Sequence, residues 1–355
     1  MLAIKHNPMY RQLTCWLAVA LLVLVQTSAT AQETFAHAGE YMTRFSELYE
    51  PFAADMWAYM SASAHSNNAQ KIEKRREELI RTVYDIRKQV RSQPVWKGDA
   101  GLRDSTASFF NLCYFVLKED YARIVNLEAI AEQSYDLMEA YLAAKEQAYD
   151  QLNEASARLQ AEQYRFADTH RVQLVESEKS KNAERIEAAS QVIAYYNRVF
   201  LIYFKAFKQE AYLTEAVNSG DVNAMLQNQN TLARLAAEGM ATLDTMPDFA
   251  GDGSLKEACL QQLLFFREEA SDKAPMIIDY FLQKETFERI KAVLDKKPTQ
   301  ERTQEDIDGY NAAVNAYNAA VAAYNSTNEE LNKSRTALYN AWNKTSTLFM
   351  DKHVP

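Results

Sequence analysis

Residues 307–349, IDGYNAAVNAYNAAVAAYNSTNEELNKSRTALYNAWNKTSTLF, decide the fold class of this chain. Large apolar and aromatic residues recur in this stretch at steps of three and four, the spacing of one helix face, over about six heptads. The pattern therefore predicts a long coiled-coil-like helix, and the many alanines between these positions let neighbouring helices approach closely. The residues predicted to pack as a seam against those helices are Tyr310, Tyr317, Tyr324, Leu331, Leu338 and Trp342.

Two polar residues, Asn328 and Arg335, interrupt this seam. A polar side chain costs stability at a buried seam position, and it fixes the register between packed helices. We therefore expect Asn328 and Arg335 to set how the helix aligns with its neighbours. The tyrosines of the seam are interpreted as packing residues and not as a ligand platform.

Two segments, 94–104 (PVWKGDAGLRD) and 247–257 (PDFAGDGSLKE), share the pattern P-x-[WF]-x-G-D-x-x-L-[RK]-[DE] at an offset of 153 residues. Proline ends a helix, glycine permits left-handed backbone, and the aromatic residue can plug a turn into the core. Ser254 and Glu257 have the spacing of a capping box, which would satisfy free amides at a helix start. The pattern predicts a structural turn in each segment, formed by Pro94, Trp96, Gly98, Asp99 and Leu102 and by Pro247, Phe249, Gly251, Asp252 and Leu255.

The shared register extends beyond the turns, which indicates an internal duplication. After an insertion in the second copy the offset becomes 183, and at this offset His170 matches His353. We predict two tandem homologous helical-bundle halves, 37–170 and 190–353. Residues 171–189 would be a linker or a helix continuation.

The composition agrees with long helices. Of 355 residues only 8 are glycine and 7 are proline, about 2% each where about 7% and 5% are usual. Few turn-forming residues mean few turns and long elements, so doubly wound sheets and sandwiches are disfavoured. We predict an all-α, elongated protein with an exposed loop near 294–306, a polar stretch without aromatic residues.

The charge excludes one class of partner. The formal net charge is −9, which repels phosphate backbones, so we predict no nucleic-acid partner. The most charged stretch, 68–92, surrounds a narrow apolar stripe. We interpret its charged side as a solvated helix face and not as a binding patch.

The N-terminus has the organisation of a secretory signal peptide, which we assign to residues 1–31. Lys5 and Arg11 precede an apolar run of about 13 residues, and the small-residue site Ala29-Thr30-Ala31 follows it. The run is shorter than the roughly 20 residues of a membrane-spanning helix, and no later segment is apolar enough to stop transfer. We therefore predict export to the periplasm or the outer cell surface, with no transmembrane helix in the mature chain.

The cysteines, histidines and acids form no recognisable catalytic or metal-binding pattern. Cys113 and Cys259 lie in apolar helical stretches and are interpreted as buried thiols, with a disulfide between them as the alternative. His170 and His353 lie near helix ends, where an imidazole favours the negative end of the dipole. The loop from Asp248 lacks most ligands of a calcium-binding loop. We predict no catalytic residue, no cofactor, no metal and no enzymatic activity.

The chain resembles a known family through several of these features. They are the export signal, the two Gly-Asp turns, the segment 127–136 (LEAIAEQSYD), and the Tyr-Asn run before Phe349 and His353. Together they are similar to a family of exported bacterial surface proteins of uncharacterised activity, named after a Leptospira member and common in Bacteroidetes. The resemblance implies a location at the cell envelope and implies no reaction.

These observations predict a binding or structural helical module at the bacterial cell envelope, with a protein or a glycan as partner. The first alternative is a periplasmic bundle that binds a small ligand, which needs an enclosed pocket of several hundred cubic ångströms lined by tyrosines and polar groups. The second alternative is an enzyme whose catalytic residues converge from distant parts of the sequence.

Overall fold

The computed structural model describes residues 21–24, 35–66, 68–120, 131–176 and 180–355, and the protein is all-α, as predicted. Most of the assigned signal peptide and the first part of the 127–136 segment lie outside the described residues. None of the helices in the described ranges combines the length and the apolar character that crossing a membrane requires.

Ten α-helices are present in the described residues. In chain order they are α1 (Ala38–Glu47), α2 (Tyr49–His65), α3 (Ala69–Ser92), α4 (Gly101–Phe115), α5 (Tyr135–Thr169), α6 (Lys181–Ser219), α7 (Val222–Thr245), α8 (Ser254–Glu268), α9 (Ala274–Lys296) and α10 (Gln304–His353). A π-helical segment follows α4 at Val116–Asp120 and another follows α8 at Glu269–Lys273. Two short strands, β1 (Leu21–Leu24) and β2 (Gln173–Glu176), pair antiparallel.

The chain divides into two compact units. The first comprises residues up to Tyr195 together with Met350–Pro355, and the second comprises Tyr196–Phe349. The boundary falls within α6, close to the predicted start of the second half at 190. Part of the predicted connection 171–189 forms β2, and from Lys181 onward it is helix.

The first unit packs α2 against α3, α3 against α4 and α4 against α5, with α1 contacting α2, α4 and α5. Its core is rich in aromatic side chains. Tyr41 lies 5.6 Å from both Trp96 and Phe166, measured between ring centroids, and Phe45 lies 5.0 Å from Tyr41. Burying large rings supplies the apolar surface that holds this unit together.

In the second unit α7 packs against α8 and α9, and α10 carries the seam. Phe287 of α9 stacks on Tyr317 at 5.2 Å and also contacts Tyr310, and Tyr280 lies 4.5 Å from Tyr324. These three seam tyrosines are half-buried. Further along α10 the seam residues are more deeply buried. Leu331 and Trp342 are buried, whereas Leu338 is half-buried.

The two units share element lengths. Helices α3 and α7, helices α4 and α8, and the two π-helical segments begin and end at positions 153 residues apart. Their N-caps match as well: Asn68 accepts a hydrogen bond from the amide of Lys71, and Asp221 accepts one from the amide of Ala224. The sequence offset therefore corresponds to the same order and size of elements.

The loop between α9 and α10 is shorter than the predicted 294–306. Only 297–303 lies between the helices, because α10 begins at a reciprocal cap. Thr303 Oγ1 accepts a hydrogen bond from the Asp306 amide at 3.2 Å, and Asp306 accepts one from the Thr303 amide at 2.9 Å. Lys297 pairs with Asp306 at 2.6 Å. Hydrogen bonds from Lys297 and Thr303 lower the pKa of Asp306 to about 2.

Candidate functional site

The two Gly-Asp motifs form the same tight turn. The carbonyl of Trp96 accepts a hydrogen bond from the amide of Asp99 at 2.7 Å, and both residues between them have positive φ, 45° at Lys97 and 88° at Gly98. In the second motif the bond from Asp252 to Phe249 is 2.8 Å, with φ of 50° at Ala250 and 79° at Gly251. Two central residues with positive φ define a type I′ turn.

The aspartate of each motif also caps the helix that follows. Asp99 Oδ1 accepts a hydrogen bond from the Gly101 amide, and Asp252 Oδ1 accepts one from the Ser254 amide, both at 2.9 Å. The predicted capping box is wrong. Ser254 is the first helical residue, and the N-cap position belongs to Gly253, which has no side chain to make the bond. The turn aspartate performs the capping instead.

Replacing Ala250 by glycine is expected to raise the free energy of unfolding by about 1 kcal/mol, because a left-handed conformation is costly for alanine and free for glycine. Urea unfolding measures this change. Ala241→Gly is the matched control: Ala241 lies exposed inside α7, so the same substitution should lower stability by about 1 kcal/mol there. A loss at both positions would show that the turn does not need positive φ.

The first turn is tied into its unit by ion pairs. Arg165 Nη2 contacts both carboxylate oxygens of Asp99 at 2.8 Å, and His170 Nε2 lies 2.9 Å from Oδ2. Burial alone would raise the pKa of Asp99, but hydrogen bonds from Arg165, His170 and the Gly101 amide lower it to about 2. A Cβ at Gly101 would lie 2.0 Å from Glu162 Oε1, so the missing side chain makes room for this cluster. His170 is the C-cap residue of α5.

The aromatic and proline residues of the turn motifs contact the interior of their unit. Trp96 is buried, and Tyr41 donates a hydrogen bond to the carbonyl of Pro94 at 2.9 Å. In the second unit Phe249 contacts Phe349 at 5.7 Å. Leu102 and Leu255, the motif leucines, are both fully buried. The predicted turn residues therefore lie together at the starts of α4 and α8, where they make packing and hydrogen-bond contacts within the fold.

Both cysteines are free and buried, and they lie in different units. Burial raises the pKa of the Cys113 thiol well above its usual range and that of Cys259 to about 12. Cys259 Sγ lies 3.8 Å from the carbonyl oxygen of Val199. A reactive cysteine needs a lowered pKa and exposure, so these two side chains serve as small core residues.

The second unit contains a buried charged cluster centred on Arg335. The guanidinium Nε lies 2.6 Å from Glu210 Oε1, and Nη2 pairs with Glu269 Oε1. Glu269 is only 2% exposed. Burial and the neighbouring Glu210 together raise the pKa of Glu269 to about 7, against the opposing effect of Arg335. The cluster joins α6, the second π-helical segment and α10. That Arg335 sets the register between these elements stays a prediction.

Two cavities in the second unit bear on the small-ligand alternative. One, of about 60 Å³, adjoins this charged cluster and is lined also by Asn328 and Tyr324. The other, about 670 Å³, is a groove along α8 and α10. Ligand pockets have volumes of roughly 300–1,000 Å³ and enclose most of the ligand. The first cavity is too small, and the groove is shallow, since most of the described residues that line it are exposed and none is a tyrosine.

The first unit carries a different kind of surface, which we name the cationic–aromatic surface. It is formed by one face of α3, by the end of α4 and by the first π-helical segment. Its members are Tyr84, Arg87, Lys88, Arg91, Tyr114, Phe115 and Lys118.

Two of the three rings of this surface are exposed, Tyr114 is half-buried, and cations lie over the rings. Tyr84 is 44% exposed and Phe115 48%. The guanidinium of Arg87 lies 4.3 Å from the centroid of Tyr114, and Lys88 Nζ lies 4.2 Å from that of Tyr84. Contacts at these distances are cation–π interactions, so the rings hold the charges in place without neutralising them.

Sequence reasoning treated α3 as an ordinary solvated helix and missed this surface. The sequence did contain a signal. Residues 81–91 include one acid, Asp85, and four cations, which are Arg81, Arg87, Lys88 and Arg91. The second signal, the pair Tyr114-Phe115, lies in another helix. Only the packing of α3 on α4 brings the two together.

Comparison of the chain with protein-family models, with curated proteins and with solved structures finds no match. The resemblance to the exported surface-protein family therefore stays a prediction.

Proposed function

We propose that this protein is exported and acts without catalysis as a binding or structural helical module of the bacterial cell envelope, with a protein or glycan partner. The organisation of residues 1–31 supports export. The cationic–aromatic surface is the observation that supports the binding role, because Tyr84 and Phe115 are exposed. Arg87, Lys88 and Arg91 also have no ion pair with a carboxylate among the described residues. Asp99, His170, Arg335 and the two thiols, by contrast, are engaged in structural contacts or buried.

We also propose that the two units arose by duplication of one helical unit. The equal lengths of α3 and α7 and of α4 and α8, the paired type I′ turns and the paired π-helical segments support this origin. A duplicated scaffold frees one copy to acquire a surface that the other lacks.

Protease treatment of intact cells tests the export and location. Trypsin should cleave after Lys296, which is exposed beside the 297–303 loop, and mass spectrometry would detect the released peptides. Release from intact cells would place the protein on the outer face, and release only after the outer membrane is opened would place it in the periplasm. A full-length chain that still carries residues 1–31 and fractionates with a cytoplasmic marker would refute the proposal.

A further inference from the structure

We infer that the cationic–aromatic surface binds an acidic polysaccharide, whose carboxylates meet the cations while its sugar rings pack on the exposed aromatic side chains. This inference rests on the proposed binding role and specifies the chemistry of the partner.

Three cations of the surface lack a paired acid among the described residues. No ion pair joins Arg87, Lys88 or Arg91 to a carboxylate in the part of the chain that the structure describes. On the same helix, Arg75 and Arg76 are paired with Glu78 and Glu73 at 2.8 and 2.5 Å. The chain as a whole is acidic, yet these neighbouring cations have no carboxylate partner among the described residues. They therefore form a local binding site for an anion.

The geometry also suits carboxylates. Arg87 Nε donates a hydrogen bond to Asn111 Oδ1 at 2.7 Å, and Arg91 Nη2 donates to the same oxygen at 3.3 Å. The shared amide holds both guanidinium groups on one side of the surface. A guanidinium with its position fixed and further donors free binds a carboxylate in two-point fashion.

The exposed rings distinguish a sugar polymer from other anions. The ring centroids of Tyr84 and Tyr114 are 6.1 Å apart and those of Tyr114 and Phe115 are 5.9 Å apart, with the ring planes at 42° and 79° to each other. The rings therefore form a contiguous aromatic cluster among the cations and not a flat platform. The C–H groups of a sugar ring would pack on the exposed sides of Tyr84 and Phe115, which an acidic peptide without apolar side chains would leave uncovered.

The second unit shows that the scaffold does not require this surface. At the positions 153 residues later, Tyr84, Arg87, Lys88 and Arg91 become Ala237, Met240, Ala241 and Asp244, and Tyr114 and Phe115 become Arg267 and Glu268. Helix lengths and the turn stay the same. The rings and cations are therefore additions to a common helical frame, as a binding surface would be.

Binding of the purified full chain to immobilised polygalacturonate tests the inference. We expect binding that weakens strongly between about 50 and 500 mM salt, with no binding to neutral dextran. Tyr84→Ala/Phe115→Ala removes rings and keeps charge, and Arg87→Gln/Lys88→Gln/Arg91→Gln removes charge and keeps rings. Each variant should lose on the order of tenfold in affinity or more. Arg234→Gln, at the matching face of the second unit, should bind like the wild type, and circular dichroism checks that every variant is folded.

Three results would overturn the inference. They are no binding to polygalacturonate, equal binding to poly-L-glutamate with the ring variant unaffected, and stronger binding to anionic lipid vesicles or single-stranded DNA than to polygalacturonate. The polysaccharide-binding experiment and the protease experiment can fail independently of each other. An exported protein that ignores polygalacturonate refutes the acidic polysaccharide alone, and a cytoplasmic protein that binds it refutes the envelope role alone.

Discussion

Replacing Arg335 by methionine is expected to lower the free energy of unfolding by about 3–5 kcal/mol at pH 8, because the substitution leaves Glu210 and Glu269 as buried charges without a cation. Both carboxylates are largely removed from solvent, at 7% and 2% exposure. The methionine side chain keeps much of the packing volume, so the loss reports on charge. Urea unfolding measures it, and pH 8 is chosen because it lies above the raised pKa of Glu269, about 7.

The matched control is Arg234→Met in the same unit. Arg234 pairs with Glu238 at 2.7 Å on the exposed face of α7, and an exposed pair contributes about 1 kcal/mol or less. Adding Glu269→Gln to Arg335→Met should recover part of the loss, because it removes one of the stranded charges. Equal effects of the two arginine substitutions would argue against a buried cluster.

Replacing Trp342 by alanine is expected to cost about 3–5 kcal/mol, the usual penalty for deleting a large aromatic side chain from a core. Trp342 is 3% exposed and stacks on Tyr203, with ring centroids 4.4 Å apart. The substitution would leave a cavity between α6 and α10 and would remove the stacking contact. Thermal and urea unfolding of the same variant should both show the loss.

Tyr339→Ala provides the comparison, because Tyr339 lies three residues earlier on α10 and is 50% exposed. Its loss should change stability by less than about 1 kcal/mol. If the two variants unfold alike, the seam does not face the core at Trp342 and the heptad assignment has the wrong phase.

The sequence sufficed for those parts of the fold that depend on local pattern. Spacing at three and four defined α10 almost to its ends, and the repeated Pro-aromatic-Gly-Asp motif located both turns. The capping box failed because spacing alone does not tell which residue occupies the N-cap. Ser254 is already the first helical residue, and Asp252, two residues earlier, accepts the hydrogen bond from the Ser254 amide.

The candidate site was harder to foresee because it depends on contacts between distant residues. Arg335 stood out as a polar residue in an apolar seam, yet nothing local connects it with Glu210 or Glu269. The cationic–aromatic surface likewise needs α3 beside α4 before Arg87 meets Tyr114. A charged helix by itself gives the same pattern whether its cations are paired or free.

The π-helical segment Glu269–Lys273 accommodates one extra residue without changing the direction that the following helix faces. Residues from Ser254 to Lys296 run as α8, π-helix and α9 without interruption, and a π turn holds one residue more than an α turn. Deleting one residue within 269–273 would therefore restore a regular α-helix and leave the buried Ile277 and Ile278 facing their core. Deleting one residue from α8 while the π segment is kept would instead rotate every later side chain by about 100°. Single-residue gaps among relatives of this chain should therefore fall in the π-helical segment and avoid α8 and α9.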